Sequence, residues 1–149
     1  MISFQQFFAE KFEFDLYANL AWNKIFVEHE EALSPYLIRS MSHIINVHHI
    51  WNARLIQTVA ESSDWDILPV DFMERLHQEN YRQTINFLEH YSLEEKVNYH
   101  DSEGVPMEKQ TLDILYHILT HSTYHRAQIA KAARELELPV ANAHFILMR

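Results

Sequence analysis

The stretch that decides the fold is His117-Ile-Leu-Thr-His121-Ser-Thr-Tyr-His125-Arg-Ala-Gln128, which lies inside the longer run 111–136. No Gly or Pro interrupts that run, and its apolar residues recur at the spacing of one helix face, which predicts a helix from Thr111 to Leu136. His121 and His125 continue the same face through its middle. Residues four apart stand one above the other, about 6 Å apart along the axis. Two imidazoles are therefore predicted to lie side by side on the buried face.

Spacing alone leaves two interpretations of this pair open. Neutral imidazoles one helical turn apart can bind a single divalent metal ion, as the paired histidines of other helical zinc motifs do. A histidine on an apolar face can equally be a hydrogen-bonded core residue. Burying two imidazoles side by side costs free energy unless each finds a partner. A third ligand elsewhere in the chain would favour the metal.

Composition indicates a single all-α domain. The chain has 149 residues, of which 48% are apolar, and this is enough for one domain spanning residues 1–149 with a sizeable core. Only one Gly and four Pro occur, so long helices are favoured over a turn-rich β fold. There is no cysteine, which excludes disulfides, thiolate ligands and a thiol nucleophile within the chain.

The net charge of the chain argues against negatively charged binding partners. The net charge is −9 with histidine neutral, and no run of Lys or Arg is present. Nucleic acid and anionic membrane surfaces both attract clustered cations, so neither is an expected partner. The apolar runs are too short to cross a bilayer, and the start Met1-Ile-Ser-Phe-Gln lacks a basic leader region. A soluble cytoplasmic protein is the expectation.

The first predicted helix lies within Phe4–Glu31. Its apolar residues follow helical spacing, but it carries more aromatic rings than one face can bury. The surplus has two interpretations: some rings cover a second contact surface, either another helix or another subunit, or each ring only fills the chain's own core, which is the more frequent case for any single ring.

The second predicted helix begins with Ser34 as its N-cap and Pro35 at the first helical position, and it runs to about Ser62. It carries a cluster of histidines, of which only one or two can face the core. That cluster makes this helix the best source of a third ligand for the pair on the last helix. The three histidines are His43, His48 and His49.

The remaining elements complete a bundle. Asp71 and Glu74 are spaced as a capping box for a third helix, from Phe72 to about Tyr91. Residues 92–110 break the helical pattern and contain a turn signal, which predicts a small hairpin or extended loop. The prediction is an antiparallel four-helix bundle with a short excursion before the last long helix. The core of such a bundle is a usual place for a metal site.

Three stretches resemble one known family. His43-Ile-Ile-Asn-Val-His-His-Ile-Trp51-Asn-Ala-Arg-Leu55 is similar to the second helix of the DinB/YfiT-like family of bacterial four-helix proteins, in which a histidine stands eight residues before a tryptophan. The stretch from His117 to Gln128 is similar to that family's last long helix, His-x-x-x-His-x-x-x-His-Arg-Gly-Gln. Tyr17-Ala-Asn-Leu-Ala-Trp22-Asn23 resembles its first-helix pattern. The likeness covers nearly the whole chain in order and spacing.

The resemblance implies a metal site. It implies one divalent metal ion, zinc or nickel, held by His43, His121 and His125. Three imidazoles leave one or more positions open, as in catalytic zinc sites, and either metal accepts imidazole nitrogen. His48 is less well placed, five residues after His43, and a core or surface role is expected for it. His117, one turn before His121, is expected to pack or to hydrogen-bond to a ligand.

Two positions depart from the family pattern. Ala127 replaces a Gly, a small change that should leave the helix packing intact. His144-Phe145 stands where the family often has an acid followed by an aromatic residue, so any role of that acid is in doubt here. The tail that carries this pair is expected to fold back on the bundle.

The resemblance also implies a function. Related proteins are thiol-dependent transferases and isomerases, so the leading hypothesis is a metal-dependent enzyme that transfers a small cofactor thiol such as bacillithiol to a small electrophilic substrate, or that hydrolyses its substrate. Family members are often homodimers. The alternative is a non-catalytic stress-response bundle whose structural metal is closed by a fourth ligand, His117 or His48. A third hypothesis is a helical interaction module without metal.

Overall fold

The computed structural model describes residues 1–148, which form a bundle of four helices with one small hairpin, as predicted. The helices are α1 (Phe4–Glu28), α2 (Pro35–Leu55), α3 (Val70–His90) and α4 (Thr111–Glu135). Strands β1 (Lys96–His100) and β2 (Pro106–Gln110) pair antiparallel ahead of α4, and 3-10 turns form at Glu30–Ala32 and Phe145–Met148. Among residues 1–148, none of the helices combines the length and the apolar character that crossing a membrane requires.

Two apolar clusters, one at each end of the bundle, define the helix directions. The first joins the beginnings of α1 and α4 to the ends of α2 and α3, and the second joins the opposite ends. Helices α1 and α4 therefore run one way, and α2 and α3 run the other way. The pairs α1·α3 and α2·α4 are antiparallel, whereas the neighbours α2 and α3 are parallel. Representative members are Phe12, Leu55, Phe87 and Ile118 in the first cluster and Phe26, Leu37, Met73 and Ile129 in the second.

Because α2 and α3 run in parallel, residues 56–69 must return along the bundle; we call this segment the crossover. Helix α2 is about 31 Å long, and the crossover could extend to about 46 Å, so it has slack to bend over the helices. Side chains of α2 hold it in place. Ser42 Oγ accepts from the Leu68 N–H (3.0 Å), and Asn46 Nδ2 donates to the Asp66 carbonyl (2.8 Å).

The prediction that α2 extends to Ser62 is wrong, because the helix ends at Leu55. Gln57 adopts a left-handed conformation (φ 59°), and the Thr58 N–H donates to the Ala53 carbonyl (2.9 Å). This is a Schellman ending, which usually places Gly at the left-handed position. Here Gln57 occupies that position, so the sequence lacks the glycine that would have predicted the end of the helix.

The predicted capping box of α3 is also wrong. The helix begins at Val70, with Pro69 at the N-cap and no side-chain cap. Asp71 lies inside the first turn instead, where its negative charge faces the positive end of the helix dipole. The start of the helix therefore relies on that charge rather than on a pairing of Asp71 with Glu74.

Serines cap the first two helices. Ser34 caps α2 as predicted, with Pro35 in the first turn. Ser3 and Gln6 form a capping box on α1 that the sequence analysis missed. Helix α1 ends at Glu28, before the predicted limit of Glu31, because a 3-10 turn follows.

Candidate metal centre

His43 of α2 meets His121 and His125 of α4 in the interior between the two helices. One ring nitrogen from each residue lies within 4.8 Å of those of the other two, and this group of three could hold a metal ion. The Nε2 atoms of His43 and His121 are 3.1 Å apart. Two nitrogens bound to one tetrahedral zinc ion would be about 3.3 Å apart. The spacing fits a shared cation, and it equally fits a hydrogen bond between the two rings.

A backbone carbonyl of the crossover fixes the tautomer of His43. Its Nδ1 lies 2.8 Å from the Asp64 carbonyl oxygen. Since a carbonyl can only accept, Nδ1 carries the proton and donates it. The lone pair on Nε2 then points towards the two histidines of α4. A hydrogen bond of this kind orients the ring of a metal-binding histidine and raises its basicity as a ligand.

His121 and His125 are neutral at neutral pH. Burial, together with the nearby imidazoles of His125, His43 and His117, lowers the pKa of His121 to about 3. Burial and His43 also lower the pKa of His125, whereas a hydrogen bond with the side chain of Gln128 opposes the shift. Neutral imidazole is the form that binds a metal ion. The site is therefore ready for a cation without first losing protons.

Trp65 of the crossover covers the ring of His43. The two rings are stacked, with centroids 3.7 Å apart and planes 8° apart. Trp65 stays half exposed, at 50%, so its other face meets solvent. Trp65 was not among the site residues predicted from the sequence. The one signal for it was an isolated tryptophan in a polar stretch between two predicted helices.

Neither of the two additional candidates joins the group. The ring of His117 packs edge-on against Trp51 (5.5 Å) and lies 5.7 Å from the ring of His121. His48 is buried in the core, where its Nε2 hydrogen-bonds to Thr84 Oγ1 (2.8 Å), in line with the expected core role. Among residues 1–148 the group contains three members and lacks a fourth protein ligand.

A buried ion pair lies beside the candidate centre. Arg126 follows His125 in α4, and its guanidinium binds Asp15 of α1 at 2.5 Å and Asn19 Oδ1 at 2.9 Å. The charged side chains are almost fully enclosed. The pair fastens α4 to α1 at the level of the histidines. Asp15 was not among the residues predicted from the sequence, although an acid among the aromatic residues of α1 is an unusual feature.

The C-terminal tail folds back on α1, as predicted. The ring of Phe145 packs edge-on against Phe14 (5.4 Å), and Lys11 lies over it at 4.6 Å. Ala127, which departs from the family pattern, is exposed and leaves the packing of α4 unaffected.

A groove of about 1100 Å³ lies between α2, the crossover and β1. Val47 and Asp64 line it close to His43, and Arg54 and Tyr99 line its far part. The groove therefore shares Asp64 with the candidate centre, but none of the three histidines lines it.

These features define a class: a four-helix bundle in which α2 and α4 together bring three imidazoles to one point. The chain matches the DinB family over residues 19–146, and it belongs to that family. This confirms the resemblance inferred from the sequence. A comparison with curated proteins found no match.

Proposed function

We propose that the protein is a metal-dependent enzyme in which His43, His121 and His125 hold one divalent transition metal ion, zinc or nickel. The observation that carries the proposal is the convergence of three imidazole nitrogens within 4.8 Å, with no fourth ligand among residues 1–148. Structural zinc sites are closed by four protein ligands, whereas catalytic sites keep a position open for water or substrate. An incomplete set of imidazole ligands supports a catalytic role.

The reaction proposed is transfer of a small thiol, such as bacillithiol, to an electrophilic small molecule. The metal ion supplies Lewis acidity, which favours the thiolate form of a thiol, or the hydroxide form of water in a hydrolysis, at neutral pH. The chain contains no cysteine, so the thiol comes from outside. His43 is oriented by Asp64, Trp65 limits the access of water, and the groove beside Asp64 accommodates the body of the substrate.

One observation favours a second candidate, a non-catalytic bundle in which the metal ion is structural. His43 is only 7% exposed, and Trp65 lies directly on its ring. A metal ion held there would tie α2, α4 and the crossover together. The two candidates share the ligands and differ in whether a substrate reaches them.

Metal content tests the site itself. Untagged protein would be analysed for zinc and nickel as wild type and as His43→Ala, His121→Ala and His90→Ala. His90 is exposed on α3 and serves as the matched control. Near-stoichiometric metal in wild type and His90→Ala, lost in the other two variants, supports the site. Metal that is absent from the wild type, or retained in both ligand variants, contradicts it.

A transfer assay then separates the two candidates. The metal-loaded protein would be incubated with bacillithiol and monochlorobimane, and conjugate formation would be followed by fluorescence. Transfer by wild type and His90→Ala, but not by His121→Ala, supports the enzyme. A fully loaded protein that accelerates neither this reaction nor ester hydrolysis, but melts at a lower temperature without metal, supports the structural role.

We also propose that the protein forms a homodimer through α1, α4 and the tail. Aromatic and aliphatic side chains of α1, α4 and the tail are exposed, and Phe7 and Tyr116 among them also line a groove of about 480 Å³. An unusually large exposed apolar patch is typical of a protein interface. The exposed side chains include Phe4, Phe7, Tyr116, Ile146 and Leu147.

A further inference from the structure

A second groove lies between α1, α4 and the C-terminal tail; we call it the α1–α4 groove. Its volume of about 480 Å³ falls within the range of ~300–1000 Å³ that is typical of small-molecule sites. None of the three histidines of the candidate metal centre lines it. The α1–α4 groove is therefore a cavity of its own, and what it holds can be considered apart from the metal.

Aromatic rings from three elements form the walls of this groove. Helix α1 contributes Phe7 and Phe14, α4 contributes Tyr116 and Tyr124, and the tail contributes Phe145. The rings of Phe14 and Phe145 already pack edge-on, with centroids 5.4 Å apart and planes at 83°. Aromatic rings attract further rings in edge-on or offset stacks. Walls of this composition favour a ligand with a flat aromatic body.

The polar groups of α4 that line the groove already have partners within the protein. The hydroxyls of Thr120 and Thr123 donate to carbonyls of their own helix, at 3.2 and 2.9 Å. The guanidinium of Arg126 is neutralised by the buried carboxylate of Asp15. These groups do not require a polar partner from a ligand, so this side of the groove suits an apolar body.

Lys11 is the second cation that lines the groove, and its charge is less well compensated. Its ammonium nitrogen lies 4.4 Å from the ring centre of Phe7 and 4.6 Å from that of Phe145. The Glu10 carboxylate is 3.9 Å away, which is too long for a hydrogen bond, and it is 41% exposed. An ion pair of that kind contributes little in water. A carboxylate brought by a ligand would give this ammonium a direct, charge-assisted hydrogen bond.

We propose that the α1–α4 groove binds a small aromatic carboxylate, with its ring between the aromatic walls and its carboxylate on the ammonium of Lys11. Charge complementarity selects this ligand class. The lining residues carry two cations, Lys11 and Arg126, against the single acid Asp15, although the whole chain has a net charge of −9. A neutral aromatic ligand would leave Lys11 unused. The inference does not depend on the proposed metal chemistry.

Calorimetric titration of the metal-free protein with cinnamate and with its neutral amide, cinnamamide, tests the inference. The wild type should bind one cinnamate per chain, about fivefold more tightly than the amide. Lys11→Met keeps the apolar stem and removes the charge, so it should bind both ligands with equal affinity. Lys24→Met is the matched control, since Lys24 is an exposed lysine of the same helix, and it should keep the preference. Cyclohexylacrylate, which has a saturated ring, should bind more weakly than cinnamate.

NMR locates the bound ligand. The ring current of cinnamate should shift the methyl resonances of Leu119 and Thr120, which line the groove, and leave those of the exposed Val59 unchanged. His121→Ala should bind cinnamate as tightly as the wild type does. Loss of binding in His121→Ala would place the carboxylate at the histidines instead and would overturn the inference.

Three further outcomes would overturn it. The first is equal affinity of the wild type for cinnamate and cinnamamide, and the second is a preference that Lys11→Met retains. The third is a wild-type protein that binds no cinnamate, including a dimer in which a second copy of the chain closes the groove. Circular dichroism would show whether Lys11→Met folds; if it does not, Lys11→Gln replaces it.

Discussion

The ring of Trp65 lies flat on the ring of His43, with centroids 3.7 Å apart. The neighbouring residue, Asp64, accepts the Nδ1 proton of the same imidazole. Two consecutive residues of the crossover therefore fix the ring of His43: Trp65 stacks on its face, and Asp64 accepts a hydrogen bond from its Nδ1. The orientation of the only candidate ligand on α2 depends on a segment outside the helices.

This stacking predicts a spectroscopic signal for metal binding. Ni²⁺ bound beside His43 would be in close range of Trp65, and a paramagnetic ion quenches a nearby indole. We expect titration with Ni²⁺ to quench the tryptophan fluorescence of the wild type with a one-to-one end point. Trp65→Phe should remove most of the quenching while the bound metal, measured by elemental analysis, stays the same.

The control for this prediction is Trp22, a buried tryptophan of α1 that, unlike Trp65, is not stacked on His43. Trp22→Phe should retain the Ni²⁺-dependent quenching. Equal quenching in Trp65→Phe and wild type would mean that the ion binds somewhere else.

Two core histidines predict that the protein loses stability in mild acid. Burial lowers the pKa of His48 to about 4 and that of His77 to about 3. In the unfolded chain both titrate near 6.5, so below that pH the unfolded state binds more protons than the folded state. Their contribution is fully present above pH 6.5 and is lost as the pH falls towards 4. Each histidine should lower the free energy of unfolding by about 1.4 kcal/mol per pH unit.

Urea denaturation of the metal-free protein at several pH values between 7.5 and 4.5 would measure this slope. His77→Gln should reduce the slope by about 1.4 kcal/mol per pH unit, whatever it does to stability at neutral pH. The exposed His90→Gln should leave the slope unchanged. A slope that His77→Gln does not alter would contradict the burial of a neutral His77.

The ion pair of Asp15 and Arg126 predicts a large stability cost for removing one partner. Asp15→Asn leaves a buried guanidinium without its counter-charge, so we expect the free energy of unfolding to fall by about 3–5 kcal/mol. Adding Arg126→Met should recover part of the loss. Glu28→Gln breaks the exposed pair with Lys24 and should cost less than about 0.5 kcal/mol. Equal costs for Asp15→Asn and Glu28→Gln would show that the buried pair does not fasten α4 to α1.

The proposed dimer predicts a change of mass on charge insertion. In sedimentation velocity the wild type should behave as twice the 17.8 kDa chain. Leu147→Lys, on the exposed side of the tail, should shift the protein towards the monomer. Ile67→Lys, an exposed apolar position on the crossover, should leave the mass unchanged. A wild-type protein that sediments as a monomer at high concentration would contradict the dimer.

Local features of α4 could be predicted from sequence. The uninterrupted helical spacing placed the end of that helix within one residue and put His121 beside His125, because spacing along a helix fixes which side chains are neighbours. His43 lies 78 residues from His121, and no periodicity determines such an approach. The resemblance to a family supplied it.

The path of the crossover could not be predicted for a different reason. Two of its hydrogen bonds with α2 use the backbone carbonyls of Asp64 and Asp66, which every residue type possesses. The end of α2 likewise depends on a left-handed Gln57, at a position where a Gly would have given the signal. Hydrogen bonds of the backbone do not require a particular residue type, so they cannot be predicted from the sequence.

The parallel course of α2 and α3 determines which segment of the chain can accept insertions without moving the helices. Because of it, the crossover must run along the side of the bundle, and there it packs against His43. Apart from Asp64 and Trp65, which hold His43, the crossover has no helical register to maintain, so its length and composition can vary, as they can in surface loops in general. Insertions in residues 56–69 would therefore change the surface next to His43, while His121 and His125 keep their positions on α4.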